Sequence, residues 1–297
     1  MTIETLSGEL AAVVEANGAS VVRVEGRPRG ASSGVVWSAE GVIVASHHAV
    51  DVEEEVPIGL ADGRTVQAKV VGRDPGRDLV VLRAEAQGLV PARWASSEAR
   101  VGRLVLGLSR PGRAIRAQLG IVSASAGPWR APSGGRLERY LESDLRLHPG
   151  FSGGLLVGAD GAALGANTAG LLRGTSLAVP AETVRRVVEA VLARGRVRRG
   201  YLGIGTQPVA LTPDLRGRLG QPSALIVLSV QPESPAARAG LLLGDVLLKA
   251  GGDPLTHPSA LLPSLDEERV GQEVSLEVLR AGQGLSLPVV VGERTSG

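Results

Sequence analysis

The tightest constraint on the fold is a series of short apolar strands joined by two-residue turns. Val56-Pro57-Ile58-Gly59-Leu60 runs into Asp62-Gly63, beyond which Val66, Ala68 and Val70 alternate again. Leu155-Leu156-Val157 likewise meets Asp160-Gly161 ahead of Ala163-Leu164-Gly165. Asp-Gly supplies the left-handed backbone that a tight hairpin needs, so both segments predict antiparallel hairpins. A third is predicted about Ala39-Glu40, joining Gly34–Ser38 to Gly41–Ala45, after a strand at Val21–Val24. Little helix intervenes, which favours paired β-barrels over a parallel sheet. The 41 Gly and 18 Pro among 297 residues suit such a turn-rich, mainly β chain. That length accommodates two domains.

Two helices stand out. Thr5–Ala16 places Leu6, Leu10, Val13 and Val14 on one face, and Asn17-Gly18 is expected to end it in the left-handed conformation. Ala181–Arg194 repeats Val184, Val187, Val188, Val191 and Leu192 at helical spacing and ends at Gly195. Residues 195–200 then read as a solvated linker. The expected organisation is a first domain over 1–194 and a smaller one over 201–297.

Composition narrows the function. The formal net charge is +2, and no aromatic residues interleave with Arg194, Arg196, Arg198 and Arg199, so a nucleic-acid partner is not expected. Absence of Cys excludes disulfides, thiolate catalysis and Cys-based zinc sites, and the expectation is a chemistry without metal or cofactor. Met1–Thr5 has no basic and apolar leader pattern, and no run is long and apolar enough to span a bilayer. That implies the cytoplasm if Met1 is the native start, or an extracytoplasmic, periplasmic place if a leader or anchor has been removed.

The chemistry concentrates in Pro149-Gly150-Phe151-Ser152-Gly153-Gly154, just ahead of a buried strand. Glycines around a serine let the backbone approach a substrate and turn its N–H groups inward. A serine hydroxyl becomes a nucleophile only with a base in reach and a carboxylate to orient that base. Of four histidines, His47 and His48 follow a predicted strand directly. Asp78 sits where a turn enters Leu79-Val80-Val81-Leu82, and burying a carboxylate there requires a partner. Asp74, before Pro75-Gly76, fits a turn-capping role better.

The segments Ile43–Val50, Ala61–Arg64, Val71–Leu82, Gly120–Ser123, Ser143–Gly154, Gly165–Ala169 and Leu177–Pro180 together resemble the HtrA (DegP/DegS-like) serine proteases, in the right order along nearly the whole chain. The resemblance implies a chymotrypsin-like double β-barrel followed by a PDZ domain. It selects His48 over His47, because Ala49-Val50 fill the small apolar places after the family's catalytic histidine. It implies a triad of His48, Asp78 and Ser152, an oxyanion hole from the N–H groups of Gly150 and Ser152, and substrate contacts at Arg146, Thr168, Ala169 and Gly170. Tyr201-Leu202-Gly203-Ile204 resembles the PDZ loop that receives a peptide's terminal carboxylate. The implied partners are unfolded polypeptides and peptide C-termini, and a homotrimer is the assembly expected.

Several residues depart from the family pattern. Phe151 replaces the usual Asn before the serine, where an aromatic would pack over the entrance or narrow the site. Arg146 lies six residues before Ser152, where the family has a small residue. Pointing inward it would favour acidic substrate side chains; pointing outward it leaves the family's preference for small aliphatic ones. Pro263 falls inside a predicted PDZ helix, Pro258–Leu265, which must be short or kinked. The first helix lacks the aromatics by which relatives form trimers, and the Val24–Val35 connection is too short for a long regulatory loop. A different class of function, a catalytically silent peptide-binding scaffold or chaperone, is the rival reading that Phe151 and Arg146 motivate.

Overall fold

The computed structural model describes residues 2–28, 30–95 and 99–294, and the outermost residues of both expected domains, Met1 and 295–297, lie outside them. The chain divides into two compact units, Met1–Val197 and Arg198–Gly297.

The first unit holds two closed barrels. Barrel one is built from β1 (Val21–Val24), β2 (Ser32–Val36), β3 (Val42–Ser46), β4 (Glu55–Gly59), β5 (Thr65–Asp74) and β6 (Leu79–Ala84), in the order β1-β2-β3-β6-β5-β4. After it come β7 (Leu104–Ser109), β8 (Arg116–Ala126), a small hairpin of β9 (Trp129–Arg130) and β10 (Arg136–Leu137), β11 (Tyr140–Ser143), β12 (Leu155–Gly158), β13 (Ala163–Thr168) and β14 (Ser176–Pro180). Barrel two closes in the order β11-β14-β13-β12-β7-β8. The three predicted hairpins are present, pairing β2 with β3, β4 with β5 and β12 with β13.

Strand alternation distributes the apolar side chains over separate cores. Ile43, Ala45, Val80 and Leu82 fill barrel one, while Val42, Val44, Leu79 and Val81 on the opposite face join Ala166, Leu177 and Val179 of barrel two in a shared core. Helix α2 (Ala181–Arg194) covers that core with Val184, Val187, Val188 and Val191, and Gly195 ends it at φ 74°. Because both faces of β3 and β6 are covered, these strands read as continuous apolar runs rather than alternating ones. A chain segment leaving β3 or β6 therefore emerges at the seam of the barrels.

Helix α1 spans Ile3–Gly18, longer than expected at both ends. Asn17 and Gly18 do not take the left-handed conformation predicted for them; both are buried helical residues, Asn17 Nδ2 donates to Val13 O at 3.0 Å, and the helix ends at Ala19 with φ −69°. Tertiary burial of the last turn overrides the local preference. The stretch after α2 is not a free tether: Val197 is buried in the core of the first unit, Gly200–Tyr201 (β15) pairs with Gly292–Glu293, and Arg198 Nε donates to Glu293 Oε2 at 3.0 Å.

In the second unit β15 is followed by β16 (Ile204–Ala210), α3 (Pro213–Leu219), β17 (Ser223–Val230), α4 (Pro235–Arg238), β18 (Val246–Ala250), β19 (Asp253–Pro254), β20 (Glu273–Arg280), β21 (Gln283–Val290) and β22 (Gly292–Glu293). The main sheet runs β16-β17-β18-β20-β21, so β16 is an edge strand. Pro258–Leu265 is a 3₁₀ helix. Pro263 supplies no N–H and crowds the preceding turn, which accounts for the tighter winding. Asp245, buried, is bonded to Arg280 at 2.7–2.8 Å, and this charge-assisted pair holds its carboxyl below the ordinary range.

Two glycines with similar backbone angles separate steric from conformational cost. Gly41 (φ 97°) has no room, since an added Cβ would lie 1.9 Å from Ala84 O; Gly63 (φ 90°) has nothing within 4 Å. Gly41→Ala is expected to destabilise the first unit by roughly 3 kcal/mol or more, and Gly63→Ala by only about 1–2 kcal/mol. Urea unfolding of the two variants would check this, and equal losses would contradict it.

Candidate active site

His48 lies in the 3₁₀ turn His47–Ala49 that leaves β3, and Asp78 immediately precedes β6, the pairing partner of β3. The two strand ends therefore deliver them side by side at the seam of the barrels. Asp78 adopts φ 56°, left-handed for a non-glycine residue, and is 4% exposed. Its Oδ1 accepts from the backbone N–H of His48 at 2.9 Å, and its carboxylate lies 2.8 and 2.9 Å from His48 Nδ1. Burial pushes the Asp78 carboxyl up, but the hydrogen bonds and charge of His48 and the hydroxyl of Thr168 outweigh it, leaving the group below the ordinary carboxylate range. An ionised carboxylate accepts only, so His48 carries its proton on Nδ1 and presents Nε2 as the free base.

His47 is excluded from this role by geometry. Its Nδ1 faces Arg73 Nη1 at 3.3 Å, and burial, with Arg73 beside it, lowers its proton affinity. Its backbone N–H instead donates to Asp78 O at 3.1 Å, which helps to fix the aspartate.

Ser152 comes from barrel two, in the turn before β12. The carbonyls of its loop are tied down. Ser33 N–H donates to Ser152 O at 3.1 Å, and Ser33 Oγ donates to Gly150 O at 2.7 Å while accepting from Arg110 N–H at 2.8 Å. Phe151 N–H bonds His148 O, Gly153 N–H bonds Asn167 O, and Gly154 N–H bonds Phe151 O. Among the described residues, by contrast, the N–H groups of Gly150 and Ser152 donate to no protein acceptor. Gly150 and Gly153 have φ 92° and 82°, and a Cβ on Gly153 would lie 2.0 Å from Ser33 O, so glycine is required there. Phe151 is buried with its ring edge toward His148, centroids 6.4 Å apart, rather than lying over the entrance.

The segment after β13 joins the two halves. Ser152 Oγ accepts from Ala169 N–H at 3.2 Å, and among the described residues it has no hydrogen bond to His48. One residue on, a Cβ at Gly170 would lie 2.5 Å from His48 Nδ1 and 2.9 Å from Asp78 Oδ2, so only glycine passes against the pair. Serine and imidazole thus border the same dipeptide, and a rotation about the serine Cα–Cβ bond is the movement that would direct the hydroxyl toward Nε2.

Thr168, expected as a substrate contact, is buried, and its hydroxyl is engaged within the protein, donating to Asp78 Oδ2 and accepting from Gly170 N–H at 2.9 Å. Two adjacent polar residues, Asn167 and Thr168, closing an otherwise apolar buried strand were the available signal. Ser33 was missed altogether; Ser32-Ser33-Gly34 at a strand start gave only a weak hint. Arg146 is exposed, whereas the preceding Leu145 turns into barrel two, its Cδ atoms 2.7 and 2.8 Å from where a Cβ would stand on Gly107 and Gly120.

In the second unit, Leu202 is anchored in the core and Gly203 (φ 81°) leaves no room beside Ser234. The carbonyls of Leu202 and Gly203 accept from Ala236 and Gln231, while their own N–H groups have no acceptor among the described residues. Tyr201 hydroxyl donates to Gln231 Oε1, and Ile204 opens the edge strand β16.

Comparison with known proteins matches this architecture. A trypsin-like peptidase domain is recognised over residues 32–165 and a PDZ domain over 200–291. A probable periplasmic serine endoprotease, DegP-like, of Ectopseudomonas mendocina is 33% identical over 90% of this chain, which spans 58% of that relative's length. Serine endoprotease DegS of Escherichia coli is 29% identical over 88% of this chain and 76% of its own. Among solved structures, an HtrA-type protease AlgW with tripeptide is 31% identical at a TM-score of 0.74, covering 97% of this chain and 98% of that one. The serine endoprotease from Yersinia pestis is 28% identical at a TM-score of 0.75, covering 96% and 98%. With a double-barrel unit followed by a PDZ domain and a likeness extending along nearly the whole sequence, the chain belongs to the HtrA-type protease family.

Proposed function

We propose that the chain is a serine endopeptidase of unfolded or damaged polypeptides, using His48, Asp78 and Ser152. The observation that carries this reading is the short pairing of His48 Nδ1 with a buried, ionised Asp78, against which Gly170 passes one residue after the Ala169 N–H that binds Ser152 Oγ. In the reaction Ser152 Oγ attacks a peptide carbonyl and passes its proton to His48 Nε2. The tetrahedral oxyanion is received by the N–H groups of Gly150 and Ser152, each donor being worth roughly a hundred- to a thousandfold in rate. The imidazolium, stabilised by Asp78, protonates the leaving amine, and water, deprotonated by the same imidazole, then releases the acyl group.

The second unit is read as a receptor for peptide C-termini. The unpaired N–H groups at Leu202 and Gly203 suit a terminal carboxylate, and the open edge of β16 suits an added strand. The AlgW structures are of that protease with a decapeptide and with a tripeptide, which agrees with that use. A homotrimer belongs to this reading through the family resemblance. So does an extracytoplasmic place, since the DegP-like relatives are named periplasmic; no helix among the described residues is long and apolar enough to cross a membrane.

The rival scaffold reading has one observation in its favour: Ser152 Oγ rests on Ala169 N–H instead of on His48. A fluorophosphonate probe separates the two. Labelling of the wild-type chain that vanishes in Ser152→Ala supports the enzyme. Turnover of casein is expected to fall roughly a millionfold in Ser152→Ala or His48→Ala. A folded wild-type chain that neither labels nor cuts casein would leave only the scaffold.

The pH dependence follows from the carboxylate. Asp78 is held below the ordinary range, so it is fully ionised above that range and protonates only at more acid pH. The acid limb of kcat/KM should therefore contain no contribution from the Asp78 carboxyl above the ordinary carboxylate range. A two-proton slope above about pH 5 would show that the carboxylate is not held as described. For the second unit, a peptide with a free C-terminus should bind at least roughly tenfold more tightly than its amide in a fluorescence-anisotropy titration. Equal affinities would refute carboxylate capture.

A further inference from the structure

The turn that presents Asp78 is gripped from outside its own barrel. Asp74 caps the turn, with Oδ1 accepting from Gly76 N–H at 3.1 Å and Arg77 N–H at 3.3 Å. Arg77, 7% exposed, spends its guanidinium in two directions: Nη1 donates to Asp74 Oδ2 at 2.7 Å, and Nε donates to Arg136 O in the β9–β10 hairpin at 2.6 Å. The hairpin returns a bond, Ser133 Oγ to Gly76 O at 2.7 Å. It also lies flat on the turn, because a Cβ at Gly135 would fall 2.2 Å from Gly76 O and 2.8 Å from Arg77 N.

The hairpin itself is fixed to the seam. Ala131 and Leu137 are buried in the core shared by the two barrels, Trp129 packs edge-on against Tyr140 at 5.3 Å, and the next residue, Glu138, donates its N–H to Thr183 Oγ1 of α2 at 3.2 Å. A left-handed backbone costs a non-glycine residue about 1–2 kcal/mol, so Asp78 needs a surrounding that holds it there. The residue immediately before it is the buried Arg77, and the carbonyl two residues before it is bound by Ser133.

We propose that Arg77, anchored on the tip of the β9–β10 hairpin, is a clamp that positions Asp78. The inference rests on the triad reading above. Arg77 is a positioning residue: it acts through the backbone of its neighbour and has no contact with His48 or Ser152 among the hydrogen bonds described. A lysine could keep the ion pair with Asp74 but lacks the fork that reaches Arg136 O at the same time.

The test is the full chain carrying Arg77→Met, Arg77→Lys, Ser133→Ala or Gly135→Ala, assayed with a fluorogenic casein and a fluorophosphonate. Arg77→Met and Gly135→Ala should each lower kcat by roughly a hundredfold, with KM changed less than about twofold, as expected of a catalytic group displaced by about an ångström. Arg77→Lys should not restore the rate. The rate of fluorophosphonate labelling should fall by a similar factor in both strong variants, because that reaction needs the same base held by Asp78. Should Arg77→Met not fold, Ser133→Ala at an exposed position carries the same test, with a loss of several-fold. Unchanged kcat in the variants overturns the clamp. So does a lower kcat accompanied by a fall in melting temperature and a comparable change in KM, which marks a merely structural role. A wild-type chain that takes no label overturns the triad reading and the clamp with it, whereas a labelled wild type with unaffected variants overturns the clamp alone.

Discussion

The carboxylate of Asp78 is the constraint on which the first unit turns. It is buried, and removing a charge from water costs several kcal/mol unless hydrogen bonds replace the lost solvent. Here they come from three directions: the His48 backbone, the His48 ring and the Thr168 hydroxyl. Two of these belong to barrel one and the third to barrel two. Neither barrel could keep the carboxylate ionised with the same set of donors, and so the charge ties the seam of the fold to the chemistry placed there.

Around that charge the backbone is sorted by polarity. Ser33 binds the carbonyls of Gly150 and Ser152, drawing the acceptors of the serine loop toward barrel one. The N–H groups of the same two residues are left without protein partners. Unpaired donors beside a serine are unfavourable in isolation and become useful only when negative charge develops next to them. The glycines at 150, 153 and 170 serve the same end by different means, two through left-handed backbone and one through the absence of a Cβ against His48.

The second unit applies a similar sorting to a different task. Leu202 and Gly203 turn their carbonyls into the unit and leave their N–H groups open, beside an edge strand with one free side. Pro263 winds the helix Pro258–Leu265 as 3₁₀ without removing it.

The sequence by itself determined the hairpins at Asp62-Gly63 and Asp160-Gly161, the α2 boundaries and the need for glycine about Ser152. These are local: turn chemistry, strand period and capping act within a few residues, where a sequence can be read directly. Tertiary structure alone decided that Asn17-Gly18 stays helical, that the Thr168 hydroxyl binds Asp78, that Phe151 is buried and Arg146 exposed, and that Ser33 and Arg77 bond across to the serine loop and the β9–β10 hairpin. Those outcomes depend on partners tens of residues away, and a hydrogen bond between distant segments leaves no periodicity or spacing in the sequence by which to find it.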